Sequence, residues 1–116
     1  PGLIDAHVHF QHFNWKERRN EIVFHNASWK AMAFLYNARK SLHRGFTSIR
    51  TVGSSTYDAY GVVNAKKLIN MGYFEGSRLV ALPHYHYSPG SHGDHSQYLA
   101  ENPAVSELMA KTAMRR

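Results

Sequence analysis

Cysteine is absent from the 116-residue chain, which excludes disulfides and thiolate metal ligands and leaves the redox compartment unread. Long apolar runs are missing too. No stretch approaches the roughly 18 residues that a membrane-spanning helix needs, and the first residues do not read as a secretory leader. The expectation is a soluble, cytoplasmic protein with no membrane partner. Acidic residues are few, 8 Asp plus Glu against 14 Lys plus Arg, for a formal charge of +6. That excess would suit an anionic partner, but the basic residues are scattered. Their short clusters, at residues 16–19 and 115–116, carry no accompanying aromatic stripe, so no nucleic-acid partner is expected. Internal repeats, low-complexity tracts and linker-like stretches are also lacking.

What remains is ordinary globular material, 43% hydrophobic and 13% aromatic. The length suffices for one domain and is short for most multilayer enzymes. Histidine is the exception, with nine copies. Any metal must then be held by His, Asp or Glu. The chain opens on Pro1 rather than a methionine and reads as a piece of a longer protein.

The stretch PGLIDAHVHF, residues 1–10, poses the functional question. In a strand, side chains alternate between faces, so Asp5, His7 and His9 are expected on one side and Ile4, Ala6, Val8 and Phe10 on the other. The second set is fit for packing and the first for chemistry. Two histidines at i and i+2 can converge on a single ion, and neutral imidazole is a common ligand for zinc and other first-row metals. The ordinary alternative is a pair of histidines at a strand end with unremarkable hydrogen bonds.

Periodicity and punctuation order the rest. A strand spans 3–10, and residues 11–25 have no clean period. A helix is expected from about Ser28 to Arg44, with Trp29, Ala31, Leu35, Ala38 and Leu42 as its apolar stripe and Gly45 as its stop. A second strand spans 46–52. A second helix, capped by Asp58, runs from about Ala59 to Asn70. A third strand spans 78–82, before Pro83. A histidine-rich loop follows, and then a helix opened by Asn102 and Pro103. The sum is α/β, a parallel β-α-β-α-β-α chain with right-handed crossovers, in one partial domain covering 1–116. Such a fold gathers the loops after its strands at one end. His7, His9, Gly53 to Thr56 and the 84–95 loop would meet there.

Three stretches resemble the amidohydrolase superfamily, in its imidazolonepropionase and prolidase-like branch. PGLIDAHVH resembles that family's first barrel strand, whose H-x-H pair binds metal. NARKSLHRGFTSIRTVG (37–53) resembles its helix and second strand, usually N-A-x-x-x-L-x-x-G-F-T-T-V-R-D-x-G. GSRLVALPHYHYSPGSHGD (76–94) resembles its G-P-R-x strand and G-G-H-G-D loop. Thr51 stands where the branch usually has Asp, Ser77 where it has Pro, and Ser91 where it has Gly. The resemblance implies the first three units of a (β/α)8 TIM barrel, with His7 and His9 binding a divalent metal, most naturally zinc. The family's bridging lysine, two later histidine ligands and general-base aspartate would lie on strands beyond the three matched here.

On this reading the parent protein hydrolyses an amide or cyclic C–N bond in a dipeptide-like or imidazolone-like small molecule. The chain by itself is expected to be inactive, without a catalytic residue of its own, and able to self-associate through open sheet edges. Asp5 is expected to support the histidines through hydrogen bonds rather than to ligate. His92 and Asp94 are substrate-binding candidates, with a polar turn on Gly90 and Gly93 as the alternative. His84 and His86 form a second H-x-H that could build a separate site with His92 and His95, or simply a polar loop. The rival to the whole reading is a small histidine-rich metal-binding or interaction module without catalysis.

Overall fold

The computed structural model describes residues 1–13, 16, 27–53, 60–84, 86 and 88. Within them run β1 (Leu3–Val8), α1 (Ala27–Leu42), β2 (Phe46–Thr51), α2 (Gly61–Asn70) and β3 (Arg78–Val80). The strands form one sheet in the order β1-β2-β3, and both pairings are parallel. The chain divides into two units, Pro1–Tyr85 and His86–Arg116. Every element named here belongs to the first, and of the second only His86 and Ser88 are among the described residues. The fold is α/β, with a small three-stranded parallel sheet and two helices. The described residues form two β-α units and a third strand, not three complete units, and no closed barrel. The helix expected after Asn102 lies outside them. No helix among the described residues is long and apolar enough to cross a membrane.

The core explains why the elements pack as they do. Val8, Ile49 and Leu79, one from each strand, meet Phe34 and Ala38 of α1 and Val62 and Ala65 of α2. Ile49 pairs with Leu79 and Arg50 with Val80. Because successive strand residues face opposite ways, both helices cover the Ile49 side while Arg50 and Val80 stand exposed on the other. Burying an aliphatic side chain of this size contributes about 1.5–3 kcal/mol, so Ile49 and Leu79, each 1% exposed, anchor the sheet.

The stripe expected on α1 is met in part. Ala38 is buried and Leu35 packs against the core, whereas Trp29, Ala31 and Leu42 are only half-buried, and Lys30, Ala33 and Phe34 are buried in addition. The helix packs on the sheet and on α2 together, and small residues at 33 and 38 allow that double approach. At α2 the N-cap position is Tyr60, with no side-chain cap bond, so the helix starts later than expected. Asp58 lies outside the described residues.

Each strand is shorter than expected at its C-terminal end: β1 ends at Val8, β2 at Thr51 and β3 at Val80. After Val8 the chain turns at Phe10 and Gln11. At the start of β1, the Leu3 N–H donates to the Gly45 carbonyl at 2.8 Å. Gly45 ends α1 with φ +91°, a left-handed conformation that glycine adopts without strain. Gly2 allows β1 to lie against β2: a Cβ there would collide with the Thr47 side chain and come within 2.6 Å of its Cβ. Turning the threonine rotamer would not relieve the last contact.

The two departures from the family pattern at 51 and 77 are buried hydroxyls. Thr51 is 1% exposed. Its Oγ1 accepts from the Leu82 N–H at 3.0 Å and lies 3.4 Å from the Val80 carbonyl oxygen and 3.5 Å from that of Leu82. A carboxylate at this position could accept from Leu82 but would face two carbonyl oxygens without a proton to offer. Ser77 is fully buried. Its N–H donates to the Ala38 carbonyl at 3.2 Å, and its hydroxyl reaches the carbonyls of Phe46 at 2.5 Å and Ala38 at 3.1 Å. Proline would supply neither donor.

Urea unfolding should separate these roles. Thr51→Ser keeps the hydroxyl and should stay close to the parent. Thr51→Val leaves the Leu82 N–H unpaired and should cost about 1–3 kcal/mol. Thr51→Asp should cost at least as much, since it buries a charge against two acceptors. An Asp variant as stable as the parent would refute this hydrogen-bonding role for the Thr51 hydroxyl.

Candidate functional site

β1 delivers its histidines by an irregular path. Asp5 pairs with Ile49 and Val8 with Thr51, so β1 advances one residue further than β2 over that interval, the signature of a bulge. The strict alternation expected along residues 4–10 therefore does not hold. Val8 is buried and Phe10 packs partly against the core, but Ile4, opposite Ser48, is 73% exposed, and Ala6 is exposed as well. The packing face of β1 exists only at its C-terminal end.

The bulge gives Asp5 its work. Its Oδ1 accepts the backbone N–H of His7 at 3.1 Å, so the carboxylate fixes the backbone that carries the first histidine. From across the sheet, the Arg50 guanidinium reaches the Ala6 carbonyl at 3.4 Å, a long contact. Asp5 is half-buried and Arg50 exposed.

His7 and His9 are both exposed, and their rings meet edge to face, with centroids 5.4 Å apart and planes at 70°. Two imidazoles on one tetrahedral zinc, with bonds of about 2.0–2.1 Å, have ring centres roughly 5 Å apart. The observed spacing thus fits a shared ion, and it also fits a plain edge-to-face contact. No group of three or more potential ligands occurs among the described residues. The pair can hold a metal by two donors, short of the three or four protein ligands usual for zinc.

The ends of the other strands contribute less. Thr51 turns into the sheet, as described above. His84 packs edge to face on Tyr60 at 5.9 Å, and His84 and His86 are exposed. The separate site considered for them needs His92 and His95. Those two, Ser91 and the substrate-binding candidates His92 and Asp94 all lie outside the described residues.

Sequence reading overlooked Asn37. From the inner side of α1 its amide donates to the carbonyls of Phe10 at 3.1 Å and His12 at 2.9 Å, fastening the turn that follows His9. The available signal was a polar residue between Phe34 and Ala38 on a packing face, at the head of the 37–53 motif. Gln11 and His12 were also missed and are buried in that turn. Among the described residues, Gln11 Oε1 has no hydrogen-bond partner.

No family model matches the chain, and no curated protein matches it. The likeness to the amidohydrolases rests on the three quoted stretches.

Four-ligand zinc sites in small peptides bind with about 10–16 kcal/mol. Two ligands should supply about half of that, a Kd between roughly micromolar and a few hundred micromolar. Calorimetric titration with zinc should find one site in this range, weakened further by His7→Ala and by His9→Ala. Nanomolar binding, or binding indifferent to both substitutions, would contradict the two-donor site.

Proposed function

We propose that this chain forms the first three strands of a (β/α)8 barrel in a metal-dependent amidohydrolase, and that His7 and His9 hold its metal, most naturally zinc. The observation that carries the reading is the adjacency of two exposed imidazoles at the C-terminal end of a strand in a parallel sheet whose helices cover one face. That end is where α/β enzymes assemble their sites.

Such an ion, when bound, lowers the pKa of a coordinated water and polarises a carbonyl. The chain's own residues do the holding. His7 and His9 present ring nitrogens, Asp5 fixes the backbone at His7, and the burial of Val8 in the core keeps the strand end in place. The substrate class is an amide or cyclic C–N bond in a small molecule, either dipeptide-like or imidazolone-like. The proton-transfer carboxylate belongs to strands beyond the three matched, so the 116-residue chain alone is inactive. Among the described residues β1 and β3 are the edge strands of the sheet; in the proposed barrel they would receive further strands, and in the absence of those would pair with other copies.

Sequencing the coding region on both sides of Pro1 and Arg116 tests the proposal. The expected result is a continuous frame that supplies a lysine-bearing strand, two histidine-bearing strands and a late aspartate. Its product should hydrolyse an amide or dipeptide in a metal-dependent reaction, and His7→Ala should lower kcat/KM by roughly 100-fold or more. A stop codon directly after Arg116 would contradict the reading and favour the non-catalytic metal-binding module.

A further inference from the structure

His9 follows directly on β1, between two fixed points. Behind it, Val8 is buried in the core, and its carbonyl faces the Val52 N–H at 3.4 Å. Ahead of it, Asn37 holds the carbonyls of Phe10 and His12. A side-chain amide has two N–H donors, and both are engaged here. The amide is half-buried on α1, one residue before Ala38, which is fully buried. Its position is therefore set by the core rather than by the loop it grips. Gln11 and His12 are drawn into the protein, while the rings of His7 and His9 remain exposed and 5.4 Å apart.

We propose that Asn37 is a positioning residue for the His7 and His9 pair. By pinning the turn after His9 to α1, it holds the second imidazole at the separation from the first that one ion requires. The inference rests on the metal reading above. It also assigns the opening asparagine of the 37–53 stretch a role in the geometry of the site. Without the two donors the turn's carbonyls would have to find water. The His9 backbone would then sample a wider range, and an ion would have to order it on binding. Groups that orient ligands without touching the metal typically alter affinity by 10–100-fold.

The test begins with the unaltered protein. In an NMR titration with zinc alone, the ring signals of His7 and His9 and the side-chain NH2 signals of Asn37 should shift along one binding curve. The NH2 signals of Asn64 and Asn70, exposed on α2, should stay in place. Asn37→Asp keeps the shape and removes both donors. In the folded variant, judged by an unchanged near-ultraviolet circular dichroism spectrum, zinc Kd should rise about tenfold, and the visible spectrum of the cobalt(II) form should change. Should that variant fail to fold, the titration of the parent decides.

Zinc that moves the His7 and His9 rings but leaves the Asn37 NH2 signals unmoved would overturn the positioning role alone. A folded Asn37→Asp protein with parental zinc affinity and cobalt spectrum would do the same. Zinc that leaves both rings unmoved would overturn the metal reading, and the positioning role with it.

Discussion

A parallel strand is joined to its neighbour only by a connection that returns the chain to the same end of the sheet, and here that happens twice, through α1 and α2. Both connecting helices pack on the same face of the sheet, so Val8, Ile49 and Leu79 share a single core with Phe34, Ala38, Val62 and Ala65. The remaining features depend on this arrangement. One sheet face is left with Arg50 and Val80, the strand ends gather on one side, and β1 reaches that side carrying two histidines.

Within this frame α1 does more than cover the sheet. Two adjacent residues near its C-terminal end tie down different strands. Asn37 donates to the turn beyond β1, and the Ala38 carbonyl accepts from the N–H of Ser77 just before β3. Gly76 lies close enough that a Cβ there would come within 3.2 Å of the Ala38 methyl. The exposed contacts of Glu75 with Arg39 at 3.3 Å and His43 at 3.2 Å add a solvated link in the same region, where ion pairs contribute little. Hydrogen bonds to buried backbone are the stronger ties, because leaving either partner unpaired costs more than the bond itself contributes.

The order and type of the described elements were legible from the sequence, because each depends on local pattern: a β-branched run for β2, a short apolar run before Pro83 for β3, helical spacing for α1 and α2, and glycine at 45. The pairing of His7 with His9 could be anticipated from i, i+2 spacing alone. Features set by tertiary contact were not legible. The bulge at Asp5–Val8 arises from pairing with β2, and it turned an apparent packing face into one that leaves Ile4 exposed. The α1 stripe is fixed by two partners at once, which favoured Ala33 over the larger Leu42. Thr51 and Ser77 looked like mere departures from a motif until their hydroxyls were seen against specific carbonyls. Asn37 drew no notice because its partners lie more than 20 residues away in sequence.

The proposed sharing of one metal ion by His7 and His9 can be read from zinc K-edge X-ray absorption on the protein loaded with a single equivalent. Outer-shell scattering should come from two imidazoles per zinc in the parent and from one in His7→Ala. Scattering without imidazole, or an identical spectrum in the variant, would contradict that sharing.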